Sequence, residues 1–135
     1  MYYLGQWKFE GTTLSTRTGG ILTGNWQIPS IGTPGAIQNT ATANGMGYLS
    51  TNGKTAAGSV VVEEAEDTND HGQKWERSAN DDSGFFNLKN PNSGLFLTMK
   101  TANTLTIGNA FFCVLFFLPC CFFTYRSQGC WICSC

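Results

Sequence analysis

From the N-terminus to residue 109 the chain alternates short apolar runs with turn signals. No window in it holds a 3.6-residue period over three turns. The pattern predicts short strands at 13–16, 20–23, 26–28, 36–39, 47–50, 59–63, 74–77, 85–89, 95–99 and 104–107. Between them stand turn dipeptides such as Asn44-Gly45, Asn52-Gly53 and Ser93-Gly94, where glycine takes a positive φ at little cost. This body reads as all-β.

The pattern breaks at residue 110. All six cysteines (Cys113, Cys120, Cys121, Cys130, Cys133 and Cys135) and six of the ten phenylalanines lie beyond it, and residues 110–123 form one apolar run. Two regions follow: a polar, Gly/Thr/Asn-rich domain over 1–109, and an apolar Cys/Phe-rich tail over 110–135. Function belongs to the first.

Composition narrows the function classes. A net charge of −1 and a pI near 5.7, with no cluster of Lys or Arg, argue against nucleic acid as a partner. The first residues carry neither the basic nor the apolar region of a secretory signal, the body has no cysteine, and there is no Asn-x-Ser/Thr acceptor. A cytoplasmic protein is the expectation.

A weak repeat underlies the strands. Aligning 84–98 with 35–50 sets Ile37 against Leu88, Asn39 against Asn90 and Leu49 against Leu97. A fainter third copy lies at 14–23, where the spacing from Leu14 to Gly20 equals that from Leu88 to Gly94. Trp7, Trp26 and Trp75 precede the copies; whether Trp7 or Trp26 ends the first one is left open by the spacing. Three tryptophans before three repeats predict pseudo-threefold packing around one apolar core containing Trp75, Leu49, Leu97, Ile37 and Leu88.

The segment Gly72-Gln73-Lys74-Trp75, followed by Gly84-Phe-Phe-Asn-Leu-Lys-Asn90 and by Asn92-Ser-Gly-Leu-Phe-Leu97, resembles the ricin-B type β-trefoil lectins. In that family a Gln-x-Trp strand closes each repeat and a Gly-Phe/Tyr-x-Ile/Leu-x-Asn pair of strands opens the next. The resemblance covers roughly residues 35–107 and is poor over 1–34. The implied fold is a β-trefoil of twelve strands, here incomplete. The third repeat stops after 104–107 without its Gln-x-Trp strand, which leaves strand edges and part of the core uncovered. Among the family, the chain looks similar to the cytoplasmic fungal members.

The resemblance also implies a function: carbohydrate binding without catalysis, with glycans or glycoproteins as partners. The usual galactose pocket is not expected. Its Asp falls on Ser50 and Thr98, its aromatic near Glu63 or Glu64, and its Asn on Gly72. The polar surface around the same loops supplies the candidate sugar-binding residues Ser50, Asn52, Lys54, Glu64, Asn69, Asp70 and His71, with Asp67 beside them. Gln73 and Trp75 are the structural motif. A trefoil protease inhibitor, with a protease as partner, is the alternative; a non-functional truncated gene product is another.

Catalytic and metal chemistry find little support. There is no Gly-x-Ser-x-Gly, phosphate loop or His-rich motif. The adjacent acids Glu63/Glu64 and Asp81/Asp82 do not make a hydrolase dyad. His71 has no cysteine or second histidine near it in the body, and the acidic stretch 63–70 does not match a calcium loop. No cofactor and no metal are expected.

The tail admits three readings. As a membrane anchor, its run of 14 apolar residues (110–123) is short of the roughly 20 that span a bilayer. As a lipidation signal, Cys133-Ser134-Cys135 lacks the C-a-a-X form, because Ile132 occupies the required cysteine position. The favoured reading is translated intron-like sequence that starts where the last strand is due. A membrane partner follows only if the tail is genuine.

Overall fold

The computed structural model describes residues 5–101, 104–109, 122–126 and 130–134, the last two segments as backbone. Eleven strands form the body: β1 (Trp7–Glu10), β2 (Thr13–Thr16), β3 (Ile21–Leu22), β4 (Trp26–Gln27), β5 (Gln38–Asn39), β6 (Tyr48–Ser50), β7 (Val60–Glu64), β8 (Glu76–Arg77), β9 (Leu88–Asn90), β10 (Leu95–Thr101) and β11 (Thr104–Gly108). Two 3-10 turns, Ala43–Gly45 and His71–Gln73, are the only helical elements among the described residues. The chain is all-β there, and no described helix is long and apolar enough to cross a membrane.

Strands β1, β2 and β3 form one antiparallel sheet, and the rest of the body forms an eight-stranded sheet in the order β4-β5-β6-β7-β11-β10-β9-β8. Among the described residues, three isolated bridges add to the ladders, one of them parallel between Ile31 and Arg77. Gly35, ahead of β5, pairs with Trp75, ahead of β8; Trp7 pairs with Phe86, ahead of β9.

These bridges expose a threefold correspondence. The backbone N–H of Trp26 donates to Thr12 O (3.1 Å), that of Trp75 to Gly35 O (2.8 Å), and that of Trp7 to Phe86 O (2.8 Å). Two residues after each acceptor stand Leu14, Ile37 and Leu88, all fully buried. Each indole N–H then donates to a carbonyl on the following strand: Trp26 to Leu22 (3.2 Å), Trp75 to Leu49 (3.1 Å) and Trp7 to Leu97 (2.9 Å). A buried indole needs a partner for its one donor, and these three find equivalent ones. Each unit is therefore an opening hairpin closed by one tryptophan, and the three closing rings meet the leucines and isoleucine in a single core.

All five residues expected to share that core do so. The pairing resolves which tryptophan ends the first unit: it is Trp26. That unit is short, passing from Leu22 to Trp26 with no strand between them, whereas β7 and β11 fill this place in the other two.

One expectation needs correction. The third unit is not left open, because β1 pairs with its opening segment and Trp7 fills the position of the missing Gln-x-Trp tryptophan. The segment around Trp7 stands outside the repeat that follows it because it completes a unit whose other strands lie late in the sequence. In the tail, β12 (Phe122–Arg126) and β13 (Cys130–Ser134) pair antiparallel in a two-stranded sheet of their own. Residues 110–121, on which most of the anchor reading rests, lie outside the described residues.

Candidate functional site

Gln73 sits two residues before Trp75 in the 3-10 turn His71–Gln73, with its side chain buried. Its Nε2 donates to Ala65 O (2.8 Å) and its Oε1 accepts from Asp67 N–H (2.9 Å). The amide thus bridges the closing turn to the loop that leaves β7. That loop is held up beside Tyr48, leaving a cleft of about 190 Å³ walled by Pro34, Tyr48, Glu66, Asp67, Gln73 and Lys74.

A second network lies on the other side of the turn. Ser50 Oγ donates to Asp70 Oδ2 (2.9 Å) and accepts from Asn52 N–H (2.9 Å), while Asp70 Oδ1 accepts from Gly72 N–H (2.8 Å). Ser50 is completely buried, so it fixes the turn and offers no group to solvent. A Cβ on Gly72 would lie 2.7 Å from Thr51 Oγ1 and 3.0 Å from Asp70 Oδ1. The asparagine of the galactose pocket has no room at this position, because the Asp70 network already fills it.

The structure distributes the sequence candidates unevenly. Ser50, Asn52 and Asp70 come together in the network just described. His71 lines a neighbouring depression of about 470 Å³ with Lys74, Glu76, Pro91 and Asn92. Asn52, Lys54, Glu64 and Asn69 line neither depression. Lys54 is exposed on the turn after β6, and Asn69 donates its backbone N–H to Asp67 Oδ1 (2.9 Å) within the loop. Thr98, the counterpart of Ser50 in the third unit, is buried and bonded to Thr106 Oγ1 (2.7 Å).

No family model, no curated protein and no solved structure matches this chain.

Sequence reasoning missed Tyr48. Its ring was available as a signal, because it alternates with the buried Leu49 and so stands on the opposite face of β6. It pairs directly across the ladder with Glu64, one of the two positions where an aromatic was sought. The aromatic side chain is therefore present one strand over from where the resemblance placed it. Likewise the carboxylate missing at Ser50 is delivered to that serine by Asp70 from the closing turn.

Proposed function

We propose that this chain is a carbohydrate-binding protein of the β-trefoil type, acting in the cytoplasm without catalysis, and that it binds its glycan at the Tyr48 cleft. The observation that carries the reading is the cleft itself. An aromatic ring forms one wall, the carboxylates of Glu66 and Asp67 stand on a loop pinned by Gln73, and the ammonium of Lys74 follows the closing turn. A sugar ring presents an apolar C–H face and a rim of hydroxyls. An aromatic side chain with an apolar body can take the former, and charged hydrogen-bonding groups the latter.

The trefoil part of the reading rests on the three closing tryptophans, their equivalent backbone and indole bonds, and the three buried residues Leu14, Ile37 and Leu88. Binding in this cleft requires no proton transfer, and Ser50, the hydroxyl bonded to a carboxylate, is sealed beneath the turn.

A glycan array probed with the full chain and with Tyr48→Ala tests the proposal. Retention of a defined glycan class by the wild type, lost in Tyr48→Ala at unchanged folding, is the expected result. Failure of the wild type to retain any glycan at micromolar concentration, together with inhibition of a serine or cysteine protease, overturns it in favour of an inhibitor.

A further inference from the structure

The three units place equivalent residues around three equivalent positions, so each can be compared with the Tyr48 cleft. In the first unit, Gly24 and Asn25 stand where Gln73 and Lys74 do, just ahead of the closing tryptophan. A Cβ on Gly24 would lie 2.7 Å from Trp26 Nε1 and 2.8 Å from Asn39 Oδ1, so no side chain fits there. With no strand between Leu22 and Trp26, the loop that forms the cleft's second wall does not exist in this unit.

In the third unit the place of Pro34 is taken by Phe85. The Arg17 guanidinium lies 4.2 Å above that ring, and Lys8 Nζ lies 5.5 Å from its centre. Arg17 Nε donates to Gln6 Oε1 (2.6 Å), the residue that replaces Lys74, and its guanidinium pairs with Asp81. The place of Pro34 and Lys74 is thus capped by a cation that is itself bonded on two sides, and Phe96, the half-buried counterpart of Tyr48, lines neither depression.

The second unit differs in the opposite sense. Its cleft adjoins the depression of about 470 Å³, and Pro34 and Lys74 line both. The second depression lies between the closing turn of the second unit and the opening hairpin of the third. It adds the imidazole of His71, the carboxylate of Glu76 and the amide of Asn92.

We infer that the described residues carry one glycan site, a two-part groove on the second unit that takes an oligosaccharide of two or more sugar units. The inference rests on the carbohydrate-binding reading and adds to it both a valency and a ligand length. One sugar ring lies against Tyr48, Lys74 sits at the junction, and the next ring meets Glu76 and Asn92. A single site binds glycans without cross-linking them.

Titration calorimetry and native mass spectrometry on the full chain test this. The probes are oligosaccharides of one to four units built on glucose, N-acetylglucosamine, mannose or galactose. Expected is one oligosaccharide per chain, with affinity rising at least tenfold from one unit to two. Asn92→Ala and Glu76→Ala should each weaken the disaccharide several-fold and leave the monosaccharide unchanged. Tyr48→Ala should remove both, and Phe85→Ala should alter neither affinity nor stoichiometry. Two or three ligands per chain, or a monosaccharide bound as tightly as its dimer, overturns the inference while leaving carbohydrate binding intact. No binding of any probe overturns it together with the reading beneath it.

Discussion

In the second unit the closing indole belongs to Trp75, 26 residues downstream of the Leu49 carbonyl it bonds; in the third it belongs to Trp7, 90 residues upstream of Leu97. Both tryptophans are fully buried, and both trade paired backbone hydrogen bonds with an opening segment, Trp75 with Gly35 (2.8 and 2.9 Å) and Trp7 with Phe86 (2.8 Å each way). The core thus demands a ring at each of three positions and is indifferent to the direction along the chain from which it arrives. What differs is the cost of bringing the partners together. Closing a segment of 90 residues rather than 26 costs about 1 kcal/mol more in chain entropy. The third unit is accordingly the one whose closure depends most on the rest of the molecule already being folded.

Removing the rings is the most severe way to probe this equivalence. Trp7→Ala and Trp75→Ala should each lower the unfolding free energy by about 3–5 kcal/mol, measured by chemical denaturation. Near-equal losses support the picture of two equivalent closures. A loss below about 1 kcal/mol for Trp7→Ala would break it, because the third unit would then be closed by something else. The unfolding kinetics sharpen the comparison: the Trp7→Ala loss should appear chiefly as faster unfolding, since a contact this distant in sequence forms late.

A smaller difference separates the two opening hairpins. Asn90 is fully buried; its Nδ2 donates to His71 O (3.1 Å) and Lys74 O (3.0 Å), and its Oδ1 accepts from Ser93 N–H (3.0 Å). Asn39, its counterpart, is half-buried and accepts from Asn25 and Ala41 N–H while donating to Glu63 (3.1 Å). Removing a fully buried amide that holds three hydrogen bonds costs about 1–3 kcal/mol, so Asn90→Ala should fall in that range. Asn39→Ala, whose partners can turn to water, should cost less than about 1 kcal/mol by thermal unfolding.

The smallest effect lies at the seam between the first and third units. Backbone N–H groups of Phe85 (3.0 Å) and Ser83 (2.9 Å) bond Asp81 Oδ1, and Arg17 pairs with the same carboxylate. The Phe85 hydrogen bond leads in holding this carboxyl below its ordinary value, with the Ser83 bond and Arg17 charge adding to it. A carboxylate lowered on folding stabilises the protein above its unfolded pKa of about 3.9, and that contribution is lost as pH falls through the folded value. The stability difference between wild type and Asp81→Asn should hold from pH 7 to about 5 and shrink below about 4. Because the group is exposed, added salt should shrink it too.

The sequence made the hairpins and the core legible, since Leu14 and Leu88 stand six residues ahead of Gly20 and Gly94, Ile37 aligns with Leu88, and strands alternate with period two. Trp7 was visible as a tryptophan but not as the closure of the third unit, because linear order gives no sign that the chain's two ends of pattern meet. The site was legible only in part. Ser50 and Asp70 were singled out as surface groups, and the hydrogen bond between them turned one into a buried support. Tyr48 escaped notice because its partner Glu64 is brought opposite by strand register, which composition does not reveal.

Amide hydrogen exchange tests the central claim most directly. The backbone amides of Trp7 and Phe86 bond each other's carbonyls as those of Trp75 and Gly35 do. Closure of the third unit by the N-terminal strand predicts that all four exchange slowly, with protection of the same order, as members of one cooperative structure. Trp7 and Phe86 amides that exchange at the rate of an unstructured chain, while Trp75 and Gly35 remain protected, would contradict it.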